Sequence, residues 1–374
     1  MNYQTNFYSS SNVIVLLILS FLTIAITLVG LDYEPIVMLA RGMTYSLAGF
    51  LVLCYLFKGG LVVKLEKPLF FFLLLVFWVG VRAKNFYGLG LLLQTILLFL
   101  STFVLRNLNF SFKVDKAILI GAFFYLLMAF THFFITPIFG NSNYIGVCGL
   151  IFLVVFFSKQ TKLYYFFSLL CFVFIVLSGT RSAILGLVVG YFLFKIFNLR
   201  TSLRILSLIG FIILAILFFK SGLYDYLSSD DFAQLVIDKT GKRLESGRFE
   251  IWELIFSNMS FSNYIVGLGG GTDYEAIIGS KLSAHSGYVY IISSYGIVGL
   301  FLFAMASIFS IIRLFKKGYY FSFLLFVALL FREFFEVTLL HNSFPIALFF
   351  WAFLSNGYLD QLKLSRFSSG TVKD

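Results

Sequence analysis

The chain has 374 residues, of which 60% are hydrophobic and 12% charged, with 51 Phe and a mean hydropathy of +0.97. Soluble domains carry about 25% charged residues, so a water-soluble fold is excluded, and the length divides instead into membrane spans of about 20 residues joined by short loops. The net charge of +11 is spread over alternate loops and not gathered in one patch, so no nucleic-acid partner is implied.

Apolar runs fall, in chain order, at 12–30, 35–57, 68–82, 87–105, 116–137, 142–158, 163–179, 182–198, 203–220, 285–312, 318–340 and 342–358. Residues 1–11 hold no Lys or Arg and no cleavage-type segment follows the first run, which therefore reads as a retained span. The expected fold is an all-α polytopic membrane protein: a single bundle over 1–374 of about twelve transmembrane helices, with one large external loop at 221–284. Several runs, 68–82 above all, are short for a span and call for tilt or a half-buried helix. Cys54, Cys148 and Cys171 lie inside apolar runs and read as small core hydrophobes.

An even number of spans puts both termini on one side. Seventeen Lys and Arg collect in the short loops of that side, and four (Arg82, Lys84, Arg181 and Arg332) on the other. The positive-inside bias then places both termini in the cytoplasm and the long loop outside, periplasmic or extracellular. Within that loop Phe249, Trp252, Ile255, Phe256 and Met259 recur at helical spacing, so 246–260 is expected to be an amphipathic helix in the outer interface. Gly267, Gly269, Gly270 and Gly271 supply a turn, read as a hinge in preference to an anion-binding nest.

Ionisable groups near hydrocarbon are costly unless paired or solvated, and they number few here: Arg41, His132, Arg181, Arg332, Glu333 and Glu336. Arg332 and Glu336, four apart on one expected helix face, suit an ion pair. Arg41 either faces the same cavity as the other arginines or pairs with Glu333 or Glu336. His132 and His341 read as structural. Arg181 stands in Ser178-Gly179-Thr180-Arg181-Ser182, a tight turn between spans, where helix amides, hydroxyls and a guanidinium suit a phosphate or diphosphate. An interfacial Arg that snorkels to headgroups is the rival reading. Arg248 opens the amphipathic helix and can be an exposed, locally paired charge. His285, in Ser283-Ala284-His285-Ser286-Gly287-Tyr288, titrates near neutrality and can take a proton from a sugar hydroxyl, or serve as a satisfied histidine at a helix start.

The joint order is more specific than any one feature. With matches at Ser178–Ser182, Gly247–Trp252, Gly267–Gly271, His285–Tyr288 and Gly296–Gly299, the sequence resembles the O-antigen polymerase and O-antigen ligase family of bacterial membrane glycosyltransferases. Ser286 departs from the Asn commoner in that family. The resemblance implies attack of an acceptor sugar hydroxyl on the anomeric carbon of a polyprenyl-diphosphate-linked oligosaccharide, at the outer face of the bacterial cytoplasmic membrane. His285, Arg181 and Arg248 are the implied catalytic residues, with Ser178, Thr180, Ser182, Arg41, Trp252 and Tyr288 binding substrate. No cofactor or metal is expected, because the chain lacks a His-Glu-x-x-His or Asp-x-Asp element and guanidinium groups can balance the leaving diphosphate. Expected partners are the lipid-linked donor and acceptor, membrane lipids, a chain-length regulator and a repeat-unit flippase. A repeat-unit polymerase is favoured over a ligase that moves finished polymer to a lipid core. A flippase or transporter is the reading from a different class.

Overall fold

The computed structural model describes residues 3–57, 65–107, 111–199, 248–274, 284–341 and 343–360, with isolated helical positions at 202–203, 206–207, 210 and 213. The expected span at 203–220 and most of the loop at 221–284 thus lie largely outside the described residues. What is described is all-helical: α1 (Tyr3–Leu28), α2 (Glu34–Phe57), α3 (Lys67–Val81), α4 (Phe86–Asn107), α5 (Ser111–Phe134), α6 (Ser142–Ser158), α7 (Lys162–Leu177), α8 (Arg181–Phe197), α9 (Arg248–Ser257), α10 (Phe261–Val266), α11 (Gly287–Lys316), α12 (Tyr320–Arg332) and α13 (Phe344–Leu348), which runs on into a π-helical turn, Phe349–Leu354.

Segments of α2, α4, α5 and α11 are long and apolar enough to cross a membrane, and shorter apolar helices of 10–17 residues accompany them. α1 packs along α5, α3 along α11, α6 along α7 and α8 along α12. Small residues set how closely these axes approach. Gly186 and Gly190 bring α8 onto the backbone of Leu324 and Ala328, and Thr23 donates across to the Ala117 carbonyl of α5 at 2.7 Å. The core is aromatic, with Phe326 stacked on Phe350 at 4.0 Å and Trp351 edge-on to Phe303. Cys148 and Cys171 are free and buried, as expected.

The helix ends sort onto two opposite faces. On one, Asp32 N–H donates to Ile138 at 2.7 Å, and residues 82–85 meet the glycine-rich turn through the Ala83–Gly270 bridge. On the other, Glu66, Arg106, Arg313, Ser355 and Asn356 converge. Each set of contacts falls within one of the two groups of loops that the charge count separates.

Two expected spans are corrected. The run 318–340 is helical only to Arg332; residues 333–341 form a non-helical strap, buried at Glu333 and again from Val337 to His341. Hydropathy cannot separate the two, because Val337, Leu339 and Leu340 are apolar in either conformation. The strap survives without helical bonds because the Glu333 carboxylate takes the N–H groups of Thr338 and Leu339 at 3.0 and 3.1 Å and the Thr338 hydroxyl at 2.7 Å. Non-helical backbone at such depth is tolerated where protein buries it. The run 342–358 likewise breaks at Ser343 and relaxes to π geometry after α13, buried on all sides.

Candidate active site

The turn between α7 and α8 forms as its sequence suggests. Gly179 takes φ 67°, a left-handed conformation that glycine adopts without strain, and Arg181 is the first residue of α8, with an exposed side chain. Its neighbours do not point to solvent. The Ser178 and Thr180 hydroxyls bond to each other at 2.8 Å, and Thr180 Oγ1 donates to the Ser142 carbonyl at 2.9 Å. Both are buried, so their hydroxyls locate the turn against the start of α6. Ser182 is half-buried beside them.

One residue past that contact, Asn143 donates its side-chain amide to Glu336 Oε1 at 2.6 Å, and Arg248 Nη2 reaches the same oxygen at 3.4 Å. The expected Arg332–Glu336 pair is therefore replaced. α12 ends at Arg332, which removes the four-residue helical register; Arg332 turns inward to the Thr338 hydroxyl and the Asn143 carbonyl. Glu333 and Glu336 take other partners, so neither pairs with Arg41, which is exposed on α2 within electrostatic reach of Tyr45 and Tyr144.

Arg248 begins α9, whose buried residues Ile251 and Ile255 pack with Met259 just beyond it on Ala284 and Val289 as a small core apart from the main one. Trp252, one turn on, donates its indole N–H to the Ala284 carbonyl at 2.7 Å. The two ends of the Arg-x-x-x-Trp element thus have separate tasks: the Trp grips the backbone immediately before His285, and the Arg meets the carboxylate beside it. His285 lies at φ 48°, a region that costs a non-glycine residue about 1–3 kcal/mol and persists only where the surroundings enforce it. Ser286 caps α11 by accepting from Val289 N–H at 3.4 Å, a task that serine and asparagine perform comparably well. Burial holds the His285 imidazole below its ordinary value, with Glu336 pulling it up and Arg248 pushing it down.

The Tyr288 hydroxyl donates to the Leu330 carbonyl at 2.7 Å and its ring packs on Phe334 at 4.3 Å, bracing α11 against α12. The glycine-rich turn does not present an open anion nest. Its amides are spent on backbone: Leu268 N–H on Ser293 O at 2.6 Å, Gly269 on Ser294 at 2.9 Å and Gly270 on Arg82 at 2.8 Å. Those acceptors are available because α11 is kinked at Gly296 (φ 70°, ψ −173°), where a side chain would strike the Ile265 carbonyl. Trp78 Nε1 takes the freed Tyr295 carbonyl at 2.7 Å. His132 and His341 are structural, His132 accepting from Ile138 and Phe139 N–H, and His341 lying between Thr95 and Tyr290.

Sequence reasoning missed Asn143 and the part played by Glu336. The polar stretch Gly140-Asn141-Ser142-Asn143 at the head of an apolar run was the available signal. Among the described residues, no three His, Cys, Asp or Glu side chains group so as to hold a metal ion. The geometry offers instead a carboxylate flanked by a guanidinium, an amide and an imidazole, next to a helix N-terminus with a second, free-standing arginine.

Comparison with known families matches residues 166–304 to the O-antigen ligase family. The match spans α7 to the first part of α11 and contains Arg181, Arg248 and His285, while Asn143 and Glu336 lie outside it. No curated protein matches the chain.

Proposed function

Given an O-antigen ligase family domain at residues 166–304, we propose that this protein is a bacterial surface polysaccharide polymerase joining polyprenyl-diphosphate-linked repeat units at the outer face of the cytoplasmic membrane. The observation that carries the reading is the meeting of Arg248, His285, Glu336 and Asn143 beside the Arg181 turn.

In this reading His285, neutral at physiological pH because burial depresses its pKa, takes the proton of the acceptor hydroxyl. That oxygen bonds to the anomeric carbon of the donor, and the carbon–oxygen bond to the diphosphate breaks with its electron pair leaving on the polyprenyl diphosphate. Arg248 and Arg181 balance the charge that develops there; fixed cations aimed at developing charge contribute several kcal/mol. Glu336 steadies the imidazolium, which then releases its proton to water. The 3.4 Å contact to Glu336 engages one nitrogen of Arg248 and leaves the rest of its planar fork for phosphate oxygens.

The test is substitution. Arg181→Ala, Arg248→Ala and His285→Ala each abolish chain extension while the protein still inserts and accumulates, and Arg→Lys restores little because a point charge replaces a bidentate fork. Polymer of wild-type length in all three variants would refute the site. Extension that persists in excess EDTA supports a reaction run on side chains, and complete loss rescued by magnesium overturns it. The family's description favours a second reading, transfer of finished polymer to a lipid core. Lipid extracts of a deletion strain separate the two: single repeat units on the surface lipid mark a polymerase, and full-length untransferred polymer marks a ligase.

A further inference from the structure

The face opposite the candidate active site holds a second charged cluster that the reaction does not use. Glu66, at the head of α3, presents one carboxylate oxygen to two guanidinium groups, Arg313 Nε at 2.8 Å and Arg106 Nη1 at 3.3 Å. Arg313 Nη1 also donates to the Ser355 carbonyl at 2.9 Å, and Arg106 Nε to Asn356 Oδ1 at 2.8 Å. The ends of α3, α4 and α11 and the segment after the π-helical turn are thereby tied together.

Among the described residues the charges do not balance. Two cations share one carboxylate oxygen, the Arg106 side chain is only 7% exposed, and its Nη2 has no acceptor among the described residues. A buried guanidinium that shares its one carboxylate with a second cation is expensive, which argues for an anion close by that balances the charge. Glu66, at 38% exposure, shows that the cluster opens outward. Lys67 stands exposed beside it with Nζ 5.5 Å from the Phe309 ring, and Lys316 and Lys317 are exposed at the end of α11.

The neighbourhood says what kind of anion. Phe70, one turn from Lys67, and Ile308 and Ile312, within about one turn of Arg313, are exposed large apolar side chains. Cations directly next to exposed hydrocarbon suit a headgroup with its acyl chains, whereas a soluble ion would leave that surface uncovered. We propose that Arg313 and Lys67 bind the phosphate of an anionic membrane lipid in the leaflet opposite the candidate active site, with the buried Arg106 guanidinium adding its charge from behind and Glu66 competing with the phosphate for both arginines.

The experiment is the thermal unfolding midpoint of the full-length protein in detergent, with phosphatidylglycerol, phosphatidylcholine or inorganic phosphate added. Phosphatidylglycerol should raise the midpoint at least about 2 °C more than phosphatidylcholine does, since a ligand bound to the native state alone stabilises it by mass action. Arg106→Gln should shrink that difference. Glu66→Gln, which takes away the competing carboxylate, should enlarge it, and this variant carries the test if Arg106→Gln fails to accumulate. Equal shifts with both lipids, an undiminished difference in Arg106→Gln, or a smaller one in Glu66→Gln would overturn the site. A shift with inorganic phosphate as large as with phosphatidylglycerol would assign the anion to a soluble source and overturn the lipid.

Discussion

Trp252→Phe is a sharp probe of the proposed geometry, because it keeps an aromatic ring on the satellite core and removes the indole N–H that bonds the Ala284 carbonyl at 2.7 Å. A lost neutral hydrogen bond costs about 1 kcal/mol, and a buried acceptor left unsatisfied about 1–3 kcal/mol; Ala284 is 1% exposed, so the larger range applies. If that bond holds Arg248 in register with His285, its loss appears in the transition state, where each 1.36 kcal/mol is tenfold in rate. Glycan extension should therefore slow by about 5- to 150-fold. The assay is extension of lipid-linked repeat units by purified protein in liposomes, read as a product ladder, beside a melting curve. A ring that merely stacks on sugar would be replaced well by Phe. Extension within twofold of wild type by a well-folded Trp252→Phe protein would refute the positioning argument.

Other expectations follow from neighbouring groups. In the proposed mechanism His285 acts as base only when neutral, so extension should fall as the pH drops through its depressed pKa; Glu336→Gln removes the group that raises that pKa and should move the acid limb to lower pH, visible in the pH–rate profile. An unmoved limb would separate Glu336 from the base. Gly296→Ala forces a side chain into a conformation reserved for glycine and against the Ile265 carbonyl; a loss of at least about 3 kcal/mol is expected from strain and overlap together, seen as poor accumulation in membranes. Glu333→Ala strands the N–H groups of Thr338 and Leu339, each costing about 1–3 kcal/mol, and should lower the melting midpoint without any change in His285 titration.

The sequence displayed what depends on hydrophobicity and on the sign of charge. Most of the apolar runs before residue 200 reappear as helices, and the contacts between helix ends stay within the two loop groups that lysine and arginine content separates. It concealed what depends on how backbone is satisfied. Residues 333–340 are as apolar as a span, and nothing in their periodicity says that Glu333 will supply the bonds a helix would have made. Gly267–Gly271 read as freedom because glycine permits motion; here Gly267 is required because the Ser294–Tyr295 backbone lies against it, and Gly269 because the Lys84 side chain does. The order Arg181, Arg248, His285 was visible, since each sits in a short motif of local meaning. Asn143 was not, because its partner Glu336 is 193 positions away and neither carries a local signature.

The arrangement of α9 has a thermodynamic corollary. This helix is fastened through a separate cluster of five buried residues, Ile251, Ile255, Met259, Ala284 and Val289, while dozens of others secure the bundle beneath. Cohesion scales with buried apolar area, so the smaller patch yields first as denaturant rises. Turnover and helical ellipticity should then part company in a urea series, with catalysis fading on a plateau of intact circular dichroism. The enzyme would be disarmed long before it is dismantled.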